Sequence, residues 1–115
     1  MPMNAVIHVD QEESAVLTTA LGNIRNFLDQ VQAPSDLRLV VNHNAVKFFA
    51  AENAQKIAAT VSELASQQVR FLICGNSLSR LSIDPASLLP QCEVVPAGIV
   101  ELIRLQAEGF AYVKP

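Results

Sequence analysis

The chain opens on a short apolar run, Ala5-Val6-Ile7-His8-Val9, that stops at Asp10. β-Branched residues dominate it, and both alternating faces are apolar, the pattern of a buried strand in a parallel sheet covered by helices. The period then changes. Glu12, Glu13 and Ser14 mark a helix start, with acids at the end where the helix dipole is positive. Leu17, Leu21, Ile24, Leu28 and Val31 recur at three- and four-residue spacing, and Ala20 and Phe27 widen that stripe. The spacing predicts an amphipathic helix, ended by Ala33-Pro34-Ser35-Asp36.

The alternation continues along the chain. Residues 37–41 predict a second strand and Asn42-His43-Asn44 a turn. Residues 45–50 predict a short helix, and Ala54, Ile57, Ala58, Val61, Leu64 and Ala65 trace the face of a longer one. Residues 69–74 read as a third strand, stopped by Gly75-Asn76, and residues 77–81 as a short helix. Asp84-Pro85 opens another helical turn, and Glu93-Val94-Val95 is a short strand. Pro96 is expected in the first turn of a last helix, where its missing N–H costs little, and Gly109 suits the position just past that helix. Residues 110–114 alternate as a final strand. The order β-α-β-α-β-α-β-α-β predicts an α/β fold with a mostly parallel sheet and helices on both faces. With no linker, repeat or low-complexity segment, residues 1–115 are expected to form one domain.

Composition narrows the function. Half of the 115 residues are hydrophobic, 17% are charged, and the formal net charge is −3. Typical soluble domains are about 25% charged, so apolar residues are in surplus. The last helix carries Ile99, Val100, Leu102, Ile103 and Leu105, wider than one buried stripe, so the surplus predicts an obligate homo-oligomer. The longest stretch without a charge, residues 14–24, contains two Thr, a Gly and an Asn. A span needs about 18 apolar residues, so no membrane segment is expected. No basic patch invites nucleic acid. The N-terminus has no basic region of a signal peptide, so a cytoplasmic protein with reduced thiols is expected.

Ligands in open α/β sheets bind outside the carboxyl ends of the strands. Those ends carry His8 and Asp10, then His43, then Cys74, then Val95-Pro96. Both histidines of the chain and one of its two cysteines therefore share one edge. Cys74 ends a strand with a helix start close behind, and free N–H groups there favour thiolate. It reads as a nucleophile or as a small buried hydrophobe. His43 reads as a proton-transfer partner for it or as a turn imidazole bonded to backbone. His8 reads chiefly as a bonded core histidine, and Asp10 chiefly as a helix cap. Cys92 begins the fourth strand, about 10–13 Å of strand away from the Cys74 end, too far for a disulfide. The glycines at 22, 75, 98 and 109 form neither a dinucleotide fingerprint nor a P-loop. A zinc site from His8, Asp10, His43 and Cys74 lacks paired-ligand spacing. Ser77 has no nucleophile-elbow sequence. No metal and no cofactor are therefore expected.

Three segments resemble the DsrE/DsrF-like family. Phe71-Leu72-Ile73-Cys74-Gly75-Asn76-Ser77-Leu78 is similar to its "aC-x-N-[ST]-[LM]" stretch, and Val94-Val95-Pro96-Ala97-Gly98-Ile99-Val100-Glu101-Leu102 to its "vVPAGvxEl" stretch. The end, Leu105-Gln106-Ala107-Glu108-Gly109-Phe110-Ala111-Tyr112-Val113-Lys114-Pro115, is similar to "LQxEGyaYikP". His8-Val9-Asp10 and Asn23-Ile24-Arg25-Asn26 match further pieces, so the likeness covers essentially the whole chain and points to the small single-domain branch. The resemblance implies a three-layer α/β/α sandwich with a five-stranded parallel sheet, and trimers or hexamers. The family includes sulfur-relay and intracellular sulfur-oxidation proteins that carry sulfane sulfur as a cysteine persulfide. Its reactive Cys matches Cys74 and the His of its "vvHG" turn matches His43. Asn44 stands where that turn has Gly, and both residue types accept a left-handed turn. Cys92 matches no family position.

Two functions follow. In the first, Cys74 takes sulfane sulfur from a donor protein and passes it to an acceptor, His43 assists protonation, and the helix end stabilises the anionic sulfur. In the second, the chain is a non-catalytic oligomeric module binding a small ligand. His8, Asp10, Asn44, Asn76, Pro96 and Gly98 are the expected ligand-binding residues, with an anion at the Pro96-Ala97-Gly98 helix start. Resistance of Cys74 to alkylation favours the second.

Overall fold

The structure, a computed structural model, describes residues 2–115. Strands Met3–Val9 (β1), Ser35–Val41 (β2), Arg70–Cys74 (β3), Cys92–Val95 (β4) and Ala111–Val113 (β5) form one sheet in the order β4-β3-β2-β1-β5. Every neighbouring pair is parallel. The helices are Ser14–Gln30 (α1), Ala58–Ser66 (α2), Gly75–Arg80 (α3) and Gly98–Ala107 (α4). The fold is the expected three-layer α/β/α arrangement. Among the described residues, no helix is long and apolar enough to cross a membrane.

Crossover handedness explains how the layers are filled. The chain steps from β1 to β4 in one direction, so right-handed crossovers put α1 and α2 on one face. The return from β4 to β5 runs back across the sheet, and the same handedness puts α4 on the other face. Strand parity follows. Ile7, Val9, Leu37, Leu39, Val41, Phe71 and Ile73 pack with Leu17, Ile24, Val61 and Leu64 in the larger core. Val6, Val40 and Leu72 pack with Leu102, Leu105 and Phe110 in the smaller one. The second face thus has one helix for its whole cover.

Several boundaries differ from the sequence reading, and Gly75-Asn76 does not separate β3 from α3 but opens the helix. Residues 43–49 form a 3₁₀ helix, His43–Phe49. The longer helix starts at Ala58, because Asn53 donates back to the Ala50 carbonyl through its N–H and to the Lys47 carbonyl through its side chain, closing a 3₁₀ turn first. Pro96 precedes α4 rather than opening it. Its carbonyl accepts the Asn76 N–H at 3.2 Å, which holds it against α3, and the helix begins at Gly98.

Candidate functional site

β3 runs into α3 with no loop between them: Cys74 is the last strand residue and also the N-cap of α3. Two glycines make room for this junction. A Cβ on Gly75 would lie 3.1 Å from the Val95 carbonyl oxygen. A Cβ on Gly98 would lie 3.2 Å from Asn42 Cβ and 3.3 Å from Cys74 Cβ. Because Gly98 has none, the start of α4 closes on the sulfur, and its N–H donates to Cys74 Sγ at 3.3 Å.

Cys74 is 5% exposed, and burial pushes its pKa up. The Ser77 hydroxyl and the N–H groups of Gly98, Ser77 and Asn76 outweigh burial and hold it below an ordinary cysteine. Within α3 those N–H groups point to the sulfur as first-turn dipoles without forming a cap hydrogen bond; the well-formed bond is the one from Gly98. Ser77 is itself held, since its Oγ accepts the His43 N–H at 2.8 Å. That N–H is turned inward by a left-handed His43, φ 52°. The left-handed residue is therefore His43 and not Asn44. Cys92 is the opposite case: burial alone pushes it up to about 12. Both cysteines are free, as the strand geometry requires.

Cys74 opens on a cleft of about 260 Å³ at the carboxyl edge of the sheet. The cleft brings together four of the expected residues, Cys74, His43, Asn76 and Gly98. It includes Ala97 of the expected Pro96-Ala97-Gly98 start and adds Asn42, Ser77, Arg80 and Ile99, which the sequence pattern does not assign to a site. Arg80 gives it a positive charge, and no carboxylate lines it. The His43 side chain is exposed at the rim.

The other expected residues lie outside it. His8 is a buried, doubly bonded histidine: Nδ1 is 2.7 Å from Tyr112 Oη and Nε2 is 2.9 Å from Asn42 Oδ1. Asp10 does not cap α1, whose N-cap is Glu13 without a side-chain bond. Its carboxylate accepts instead from Lys114 Nζ at 2.8 Å. Asn44 Oδ1 accepts from Arg80 at 3.2 Å. Pro96 reaches the site through its carbonyl alone, bonded to Asn76. Among the described residues, no three His, Cys, Asp or Glu side chains gather as a metal site requires.

The missed residues share a signal that only the structure shows. His8, Asn42 and Ser77 are the buried polar side chains of the described chain, and all three surround Cys74 or link to it. Buried polar groups must be bonded, so they concentrate where a fold has something other than packing to do.

The sequence matches no curated protein. Among solved structures, a protein of unknown function, MTH1491 from Methanobacterium thermoautotrophicum, superposes with a TM-score of 0.91 at 28% identity over 98% of this chain and 99% of that one. The ychN protein from E. coli gives 0.76 at 20% identity over 100% of both chains. A conserved protein of unknown function, BT1422 from Bacteroides thetaiotaomicron, gives 0.76 at 9% identity over 97% and 94%. The last two share the fold. The model of the DsrE/DsrF-like family matches residues 3–115, the span that holds the sheet, the Cys74 junction and the α4 start, and the chain belongs to that family.

Proposed function

We propose that the chain is a sulfur-relay protein that carries sulfane sulfur as a persulfide on Cys74. One observation carries the reading: the sulfur lies at the cleft with the Gly98 N–H on it at 3.3 Å and its pKa lowered against burial. The Cys74 thiolate attacks the outer sulfur of a donor persulfide, R–S–SH. The donor S–S bond breaks, a new S–S bond forms on Cys74, and R–S⁻ leaves. The outer sulfur keeps its proton or yields it to His43 at the rim. An acceptor thiolate then attacks that outer sulfur, takes it as its own persulfide and returns Cys74 to thiolate. No net oxidation occurs. The reading needs no cofactor, a reducing compartment such as the cytoplasm, and a homo-oligomer, a trimer or hexamer, whose subunit contact is α4.

Mass spectrometry after incubation with a sulfane-sulfur donor tests it. Wild type is expected to gain one sulfur on the Cys74 peptide, and Cys74→Ser none. No gain on wild type, or an equal gain on the variant, overturns the proposal.

The near-complete burial of Cys74 favours a second reading. There the cleft, with Arg80 and no carboxylate, binds a small anion and the thiol is structural. A native Cys74 that resists iodoacetamide at every pH up to that of denaturation supports it.

A further inference from the structure

We infer that Asn42 is the group that holds the outer sulfur of the Cys74 persulfide, and that His8 and Tyr112 are positioning residues that aim it. The inference rests on the persulfide reading. Asn42 is 9% exposed and lines the cleft. Its Oδ1 faces His8 at 2.9 Å, and a carboxamide oxygen only accepts, so His8 Nε2 carries the proton and donates. With the proton on Nε2, Nδ1 is the acceptor, and the Tyr112 hydroxyl at 2.7 Å fills it. Oriented this way, Asn42 turns Nδ2 to the other side, towards Gly98: a Cβ there would lie 3.5 Å from it. The same Cβ would touch Cys74. Oδ1 is engaged, while Nδ2 has no protein partner among the described residues and is not buried, so it is open to the cleft.

A donor left open on the cleft beside a reactive sulfur is free to take an acceptor there. The thiol is not that acceptor, because its sulfur is served by Ser77, Gly98 and Asn76. A persulfide adds a second sulfur, more readily ionised than a thiol, on the cleft side. An N–H bond to an anion is among the stronger hydrogen bonds. Without His8 the carboxamide is free to rotate and offer its oxygen to the same anion, which repels it.

The test loads wild type, Asn42→Leu, His8→Leu and the double variant with sulfane sulfur and follows removal of the outer sulfur by cyanide. Asn42→Leu is expected to shorten the lifetime about tenfold, the value of one hydrogen bond to a charged group. His8→Leu is expected to shorten it in the wild-type background and to add nothing in the Asn42→Leu background. His8→Gln, which keeps an N–H for Asn42, should restore it. Tyr112→Phe, a change at a half-exposed residue, provides a variant that spares the core. The pH profile of unloaded Cys74 alkylation should match wild type in His8→Gln and Tyr112→Phe, which separates aiming from damage to the thiol site. An unchanged lifetime in Asn42→Leu, or equal effects of His8→Leu in both backgrounds, overturns the inference alone. Wild type that takes up no sulfur overturns it together with the persulfide reading.

Discussion

At the scale of single residues, Cys74 sits between two opposed effects. Burial favours the neutral thiol, and the Ser77 hydroxyl with three backbone N–H groups favours the thiolate. Removing donors should therefore move its titration upward. Ser77→Ala deletes the hydroxyl and unpairs the left-handed His43 N–H. Gly98→Ala places a methyl against Asn42 and Cys74, so the α4 start must back away and lengthen its bond to the sulfur. In both variants the midpoint of iodoacetamide alkylation against pH is expected to rise by about one unit, the weight of a bond worth about 1.4 kcal/mol. Cys92, pushed up to about 12, should stay unlabelled throughout. An unshifted midpoint in both would show that the donors do not hold the thiolate. Cys74 and Gly98 were legible in the sequence because strand end and helix start are local patterns. Asn42 was not. Its meaning depends on register: it lies two residues beyond Val40, on the α4 face, where it meets His8 across 34 positions of sequence. A polar residue after an apolar strand reads as a turn until that register is known.

At the scale of elements, the weakest piece is β5. It has three residues, all exposed, and it lies at the sheet edge beside β1, where the strand order reverses. Two side-chain ties hold it there: Tyr112 to His8 and Lys114 to Asp10. The sequence reading made Asp10 a cap because a carboxylate near a helix start is a local signal, whereas its partner is 104 positions away. Burial raises the Asp10 pKa, but the Lys114 bond and charge, with smaller help from His8 and His43, hold it below its usual value. The sign follows. A carboxyl with a folded pKa below its unfolded value of about 3.9 stabilises fully above that pH and loses the effect as pH falls through the folded value. The pair is partly exposed, so its worth is below about 1 kcal/mol and local. Asp10→Asn at neutral pH should speed amide exchange over Ala111–Val113 and leave β2 protected. Wild type should show the same pattern as pH falls through the lowered folded value, after correction for intrinsic rates. Equal protection of β5 in variant and wild type would assign its docking to Tyr112 alone.

At the scale of the whole molecule, crossover handedness puts α4 alone over one face, and part of the apolar surplus stands on its outer side. Leu102 and Leu105 cover the sheet, while Ile99, Val100 and Ile103 stand 59%, 61% and 60% exposed along the outer side of the same helix. Burying such a side chain fully is worth about 1.5–3 kcal/mol, so three of them from each of two copies supply roughly 5–10 kcal/mol at this exposure. Association costs about 4–15 kcal/mol. The stripe therefore brings a self-contact near balance, and one charge inside it should decide the outcome. Wild type at micromolar concentration is expected to sediment well above 12.4 kDa, and Ile103→Glu as a monomer of that mass. A monomeric wild type overturns the assembly. The contact also bears on the chemistry, because Ile99 belongs both to the stripe and to the cleft that holds Cys74. A second copy on α4 would wall that cleft, so dissociation by Ile103→Glu should speed Cys74 alkylation several-fold, with any shift of its pH midpoint downward as burial is relieved. Monomers that alkylate at the wild-type rate would place the cleft mouth away from the subunit contact.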